Sequence, residues 1–282
     1  MGEFPCKFAL FFGSEPHFTM SEKIIYLVSD AHFGIKLPGH ENRESLFMEF
    51  LRRIAYDAEG LIIMGDLFDF WIEYRCAIRP DYFHIVHELR NLSDKGIWIH
   101  YMAGNHDFAL GSFLQKVIGI SIHQESFTAE LQGKKVYLFH GDGLLRCDWG
   151  YRILRKILRD PRLQRIYKLI HPNWGVPLGT FFSGSSRKYL GKRLNSERIA
   201  EYRMHAREKL TEGNDIVVFA HTHNAELTRF DNRIYCNTGA WLVHYTYATM
   251  KNGEIRLWKY RSGSYPEIIP ENDSQQLLSG VK

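Results

Sequence analysis

The 282 residues contain only four cysteines, Cys6, Cys76, Cys147 and Cys236, and none stands in a Cys-x-x-Cys pair. Thiols this sparse and scattered argue against a disulfide framework and a zinc knuckle, and suit a reducing cytoplasm. Long apolar runs are also missing. No stretch approaches the roughly 20 residues that span a bilayer, so no transmembrane helix is expected. Residues 1–19 hold a short apolar patch, but Glu3 precedes it and no convincing cleavage site follows, which argues against a secretory signal. Met20 lies just before the first apolar run, so residues 1–22 are set apart as an N-terminal extension. There is no internal repeat and no low-complexity tract.

What is present is ordinary for a globular protein: 45% hydrophobic and 24% charged residues, in a length that fits one large domain or a domain with a substantial insertion. The net charge of +4 hides an asymmetry. Between Arg146 and Glu212 there are 16 Lys or Arg against 6 Asp or Glu, a local excess of 10 positive charges, and the rest of the chain is net −6. That middle segment points toward an anionic partner such as phosphate, nucleic acid or an acidic membrane surface.

Short apolar runs of strand length recur, and several stop at a polar residue that can bind a ligand. Lys23 to Ser29 ends in Asp30-Ala31-His32, and Leu61 to Met64 ends in Gly65-Asp66. Ile97 to Met102 leads to Asn105-His106-Asp107, Val136 to Phe139 to His140-Gly141-Asp142, and Asp215 to Phe219 to His221-Thr222-His223. Helical periodicity over Glu41–Ala58 and from about Pro80 to Ser93 separates the first three strands. Strand and helix alternating at this spacing predict a parallel sheet with covering helices, whose ligands sit at the carboxyl ends of the strands. From Arg146 to Leu210 no strand is expected. Helices are expected over Tyr151–Arg159 and Ser196–Leu210, with Pro172, Pro177 and several glycines breaking the chain between them. Strands resume at Asp215 to Phe219, further β segments follow near Arg233–Asn237, Tyr245–Met250 and Ile255–Tyr260, and the polar tail from residue 266 onward is expected to fray.

One Asp-x-His or His-x-His is a weak signal; five such groups, each ending its own strand, are far harder to attribute to chance. Histidine and carboxylate without thiolate suit manganese, iron, zinc or cobalt. Seven candidate ligands are too many for one ion and suit two. A carboxylate bridging two cations is the usual plan of two-metal hydrolases, which activate water for in-line attack at phosphorus.

These motifs, in this order over residues 24–223, resemble the calcineurin-like metallophosphoesterases. The resemblance implies a four-layer αββα sandwich, an α/β fold, with a helical insertion acting as a lid. On that reading residues 23–143 and 213–265 form the core, 144–212 the insertion and 266–282 the tail. It also implies that Asp30, His32 and His223 hold one metal, that Asn105, His140 and His221 hold a second, and that Asp66 bridges both. His106 would contact phosphate or protonate the leaving group beside Asn105, with Asp107 orienting it. Ala220 stands where the family more commonly has Gly.

A narrower resemblance covers nearly the whole chain. It rests on Gly65-Asp66-Leu67-Phe68-Asp69-Phe70-Trp71-Ile72-Glu73, on the stretch from His140 to Arg152, and on Ser185-Ser186-Arg187-Lys188. These resemble the UDP-2,3-diacylglucosamine hydrolases of lipid A biosynthesis. The likeness implies manganese, an acylated UDP-sugar substrate, pyrophosphate cleavage and peripheral contact with the cytoplasmic face of the inner membrane. It implies no nucleic acid and no obligate protein partner. Asp148 and Tyr151 would touch the sugar–nucleotide side, and Ser186, Arg187 and Lys188 the glucosamine phosphate. His106 departs from this narrower family, which often carries Arg there. The apolar residues Trp149, Trp174, Leu178, Phe181 and Phe182 suit an acyl trough, although amphipathic helices usually turn their apolar face to the core. The alternatives are a nuclease or nucleotide phosphodiesterase, whose basic insertion neutralises nucleic-acid phosphates, and a scaffold that kept the fold and lost catalysis. Trp71 is either core or the floor of the trough.

Overall fold

The computed structural model describes residues 23–190 and 196–273, apart from the side chains of residues 185–190 and 273. In chain order the first half runs β1 (Ile24–Val28), α1 (Arg43–Ile54), β2 (Ala58–Ile63), α2 (Phe83–Asp94), β3 (Trp98–Met102), β4 (Ile120–His123), β5 (Phe127–Leu131) and β6 (Lys134–Leu138). Four helices follow: α3 (Trp149–Arg159), α4 (Pro161–Tyr167), α5 (Pro172–Leu190) and α6 (Ser196–Thr211). The chain continues through β7 (Ile216–Phe219), β8 (Glu226–Phe230), β9 (Arg233–Asn237), α7 (Trp241–His244), β10 (Thr246–Lys251), β11 (Glu254–Lys259), β12 (Glu267–Ile269) and β13 (Asn272–Asp273).

The strands form two sheets. One has seven strands in the order β12-β11-β10-β1-β2-β3-β4, with β1 to β4 parallel; the other has six in the order β13-β8-β9-β7-β6-β5. Side-chain alternation along each strand builds the layers. In β1, Ile25 and Leu27 face the second sheet and join Val136, Leu138, Val217 and Leu257 in a buried core. Tyr26 and Val28 face the other way, against Phe47, Phe50 and Leu51 of α1 and Ile85 and Leu89 of α2. The second sheet is covered on its outer face by Tyr202, Ala206 and Leu210 of α6. The result is a mixed α/β fold of four layers: helices, sheet, sheet, helix.

Four features depart from the sequence expectations. The tail does not simply fray at residue 266. Β12 extends the seven-stranded sheet by pairing with β11, and β13 pairs with β8 in the other sheet. Strand β8, which has no clean apolar alternation, is a strand because β9 supplies its ladder. Pro177 does not break the chain but lies inside α5. The carbonyl that loses its helical partner there belongs to exposed Asn173 and can be hydrated, so the proline is tolerated.

The fourth departure is the orientation of α3, whose amphipathicity is turned inside out. Its arginines face the core: Arg159 reaches the carbonyls of Ala103 and Gly104, and Arg152 those of Gly143 and Leu145. Ile153, Leu154 and Ile157, on the opposite stripe, are exposed. The usual arrangement fails because the strand ends under α3 offer carbonyls and the buried Asp142 carboxylate instead of an apolar floor.

Candidate metal centre

The five motifs converge where the strands end. Asp30, His32, Asp66, His221 and His223 all adopt left-handed backbone conformations, with φ between 46° and 66°. Each costs roughly 1–3 kcal/mol for a residue other than glycine, a strain that persists only where the surroundings enforce it. Two glycines make the close approach possible. A Cβ on Gly104 would lie 2.0 Å from Asp66 Oδ1, and one on Gly65 2.4 Å from His140 Nδ1.

Asp66 sits at the centre, almost wholly buried. Its Oδ1 accepts the backbone N–H of His106 at 2.9 Å, which leaves Oδ2 facing three imidazoles. Oδ2 lies 3.5 Å from His140 Nε2, 3.8 Å from His32 Nε2 and 4.0 Å from His106 Nε2. On one side, Asp30 Oδ1 is 3.2 Å from His223 Nε2 and 3.8 Å from His32 Nε2. On the other, His140 Nε2 is 3.1 Å from Asn105 Oδ1 and 3.3 Å from His221 Nδ1. Asp30, His32 and His223 form one group able to hold a cation, and Asp66, His140 and His221 another. His32, Asp66 and His106 lie between them.

The electrostatics suit cations. Burial pushes the Asp30 carboxyl up, but His223 and His140 pull it down further, to about 2. Burial also opposes the charge on His140, yet the carboxylates of Asp66, Asp30 and Asp142 raise it to about 10. Burial and the neighbouring His140 lower His221 to about 4. Two ionised carboxylates packed among imidazoles with little water need compensating positive charge, and the nitrogen and oxygen donors here are those that intermediate divalent metals take. His140 Nδ1 is 2.7 Å from the Met64 carbonyl, an outer contact that orients Nε2 toward Asp66.

Asp107 is placed differently from the expectation. Its carboxylate accepts the backbone N–H groups of Asp66, Phe68 and Gly104 and the hydroxyl of Tyr101, so it pins the loops that carry the site. Four donors from backbone and tyrosine occupy it and none comes from the His106 ring. That ring is instead oriented by two residues that sequence reasoning passed over: Ser183, 2.6 Å from Nδ1, and Asp69 behind it. Trp71 is core, stacked on Phe68 and Tyr82.

A cavity of about 820 Å³ opens beside Asn105 and His106. Asp148 and Tyr151 line it, together with Leu154, Ile157, Leu163 and Phe182. The Tyr151 hydroxyl donates to Asp142 at 2.8 Å. The side chains of Ser186, Arg187 and Lys188 lie outside the described residues. Three of the segment's sixteen basic residues are engaged with carboxylates of the core or its rim. Arg155 pairs with Glu125 and Asp142, Arg159 with the same two carboxylates, and Arg203 with Glu226.

A four-layer α/β fold with histidine and aspartate clusters at its strand ends defines a class, and the chain belongs to the calcineurin-like phosphoesterase family, whose model matches residues 24–225. It is a metal-dependent hydrolase of that family. The curated proteins it resembles include a UDP-2,3-diacylglucosamine hydrolase of Porphyromonas gingivalis, 30% identical over 243 residues that cover 79% of this chain and 92% of the relative. The enzyme of the same name from Pseudomonas syringae is 36% identical over 194 residues, 69% of each chain. One from Neisseria meningitidis serogroup C is 29% identical over 231 residues, covering 81% of this chain and 93% of the relative.

Proposed function

We propose that the chain hydrolyses the pyrophosphate of UDP-2,3-diacylglucosamine, releasing UMP and 2,3-diacylglucosamine 1-phosphate in lipid A biosynthesis. Asp30, His32 and His223 hold one divalent cation, Asn105, His140 and His221 a second, and Asp66 lies between both. Manganese is the proposed metal, with iron, zinc or cobalt able to use the same donors. When bound, the pair of cations activates water and neutralises charge on the phosphate oxygens. The protein's own groups do the rest. Asn105 and His106 present polar side chains at the mouth of the cavity, where His106 contacts phosphate or protonates the departing group. Asp148 and Tyr151 are assigned to the sugar and nucleotide, and Ser186, Arg187 and Lys188 are assigned, from the resemblance alone, to the glucosamine phosphate.

The strongest support is the cavity's composition: an apolar wall from α3, α4 and α5 stands directly beside His106. A water-soluble nucleotide needs no such wall, whereas two acyl chains do. The segment 144–212, proposed as a lid, also exposes Trp149, Leu169, Trp174 and Phe181, each with between 68% and 84% of its surface open to solvent. No described helix is long and apolar enough to cross a membrane. These exposed residues suit shallow, peripheral contact with the cytoplasmic face of the inner membrane, where the substrate's acyl chains lie. The nuclease alternative is weakened, since Arg155, Arg159 and Arg203, three of the sixteen cations that suggested phosphate binding, are paired with Glu125, Asp142 and Glu226.

The test is a substrate panel with the manganese-loaded protein: UDP-2,3-diacylglucosamine, single- and double-stranded DNA, and cyclic nucleotides. UMP release from the first, abolished by chelation and restored by Mn²⁺, is the expected result. Cleavage of DNA alone contradicts the proposal, and absence of both bound metal and activity would point to a scaffold.

A further inference from the structure

The geometry points to Ser183, on α5, as a positioning residue that fixes the tautomer and aim of the His106 ring, an inference that rests on the role given to His106 above. Ser183, His106 and Asp69 are all buried. The Ser183 hydroxyl oxygen lies 2.6 Å from His106 Nδ1, 2.7 Å from Asp69 Oδ1 and 2.8 Å from the Asp69 carbonyl. A carboxylate and a carbonyl can only accept, and the hydroxyl has one hydrogen to give. That hydrogen goes to Asp69, so the imidazole donates its Nδ1–H to the hydroxyl oxygen. Asp69 Oδ1 is 3.6 Å from Nδ1, beyond hydrogen-bond reach, so the serine hydroxyl closes the gap. The ring is then held with Nε2 toward Asp66 and the cavity.

The close seating of α5 makes this contact possible. Gly175, Gly179 and Ser183 follow one another at four-residue spacing and so share one face of the helix. A Cβ at Gly179 would lie 2.2 Å from the Phe70 ring, and one at Gly175 2.1 Å from the Tyr74 hydroxyl. With those two glycines the helix backbone lies against Phe70 and Tyr74, and Ser183 enters between Asp69 and His106. The neighbouring Phe182 lines the cavity. His106 is therefore aimed by the helix that also walls the substrate space, and α5 must be seated for the ring to be in place.

A double-mutant cycle in the full, manganese-loaded chain tests this, read with bis(p-nitrophenyl) phosphate, which needs no acyl site. Ser183→Ala should lower kcat by about tenfold with little change in KM or metal content, the scale expected when a catalytic group loses its alignment. In a His106→Ala background the same substitution should cost nothing further, because the serine acts through the ring. Equal loss in both backgrounds would mark Ser183 as merely structural and overturn the inference, as would no loss in the wild-type background. If His106→Ala alone leaves kcat intact, the role of His106 falls and takes the inference with it. That outcome is distinct, being read from a different single variant.

Discussion

Asp66 carries two demands that few residues meet together. Its backbone is left-handed at φ 53°, and its carboxylate spends one oxygen on the His106 amide while the other faces three imidazoles. Asp66→Ala should abolish turnover, by at least about 10³-fold, since it removes the group shared by both proposed cation sites. Asp66→Asn tolerates the same backbone and should lose metal too, measured as ions per chain after dialysis; full metal content in both variants would refute the bridging role. His106→Ala should differ in kind. It should lower kcat by about 10²-fold, the usual worth of a positioned proton donor, and leave metal content unchanged. Equal loss of turnover and metal would count against it. Much of this was legible in the sequence, because an apolar run followed by Asp or His marks a strand's end and its ligand at once. Asp69 and Ser183 were not legible. They are 114 positions apart and meet only because Gly175 and Gly179 bring α5 close.

At the scale of elements, α3 is where sequence reasoning and structure part. Its periodicity was plain, but which stripe faces inward depends on the floor beneath it, and that floor is made by residues distant in sequence. Arg159 fastens α3 to Asp142 and to the carbonyls just before Asn105. Arg159→Met should destabilise the fold by about 1–3 kcal/mol in denaturant titration, because a buried carboxylate and two carbonyls lose a charged donor. No shift of the midpoint would show that α3 is held by other contacts. Β3 and β4 supply a pH prediction. His100 Nδ1 and His123 Nε2 are 2.7 Å apart in stacked rings, and Phe127 stacks on both. Burial, and secondarily the neighbouring His100, lowers His123 from 6.5 to about 4. Protonation therefore favours the unfolded chain. The pair's contribution is complete above the unfolded value near 6.5 and is lost as pH falls toward 4. The thermal midpoint should fall over that window, and fall less in His123→Gln; identical pH profiles would contradict this.

For the whole molecule, the Asp and His groups at five strand ends indicated a metal hydrolase, composition marked only a basic middle segment, and the layered fold follows from the alternation of strands and helices. The charge excess was misleading in detail. Arg155, Arg159 and Arg203 meet buried carboxylates, and the surface left outward mixes exposed cations such as Lys156, Arg162 and Arg165 with apolar side chains such as Ile153 and Trp174. Residues 267–273 of the tail were misread because β12 and β13 have almost no pattern of their own and depend on the edges they join, and residues 274–282 lie outside the described residues. The central claim is that acyl chains are bound against α3 to α5 while the pyrophosphate sits at the strand ends. Its most direct test is kcat/KM for UDP-2,3-diacylglucosamine against UDP-glucosamine without acyl chains, in the wild type and in Ile157→Asp. At about 0.8 kcal/mol per buried methylene, burying even four should favour the acylated substrate by roughly 10²-fold, and the aspartate should erase most of that preference without slowing the short substrate. Equal kcat/KM for the two substrates, or a preference that Ile157→Asp leaves untouched, would contradict the account.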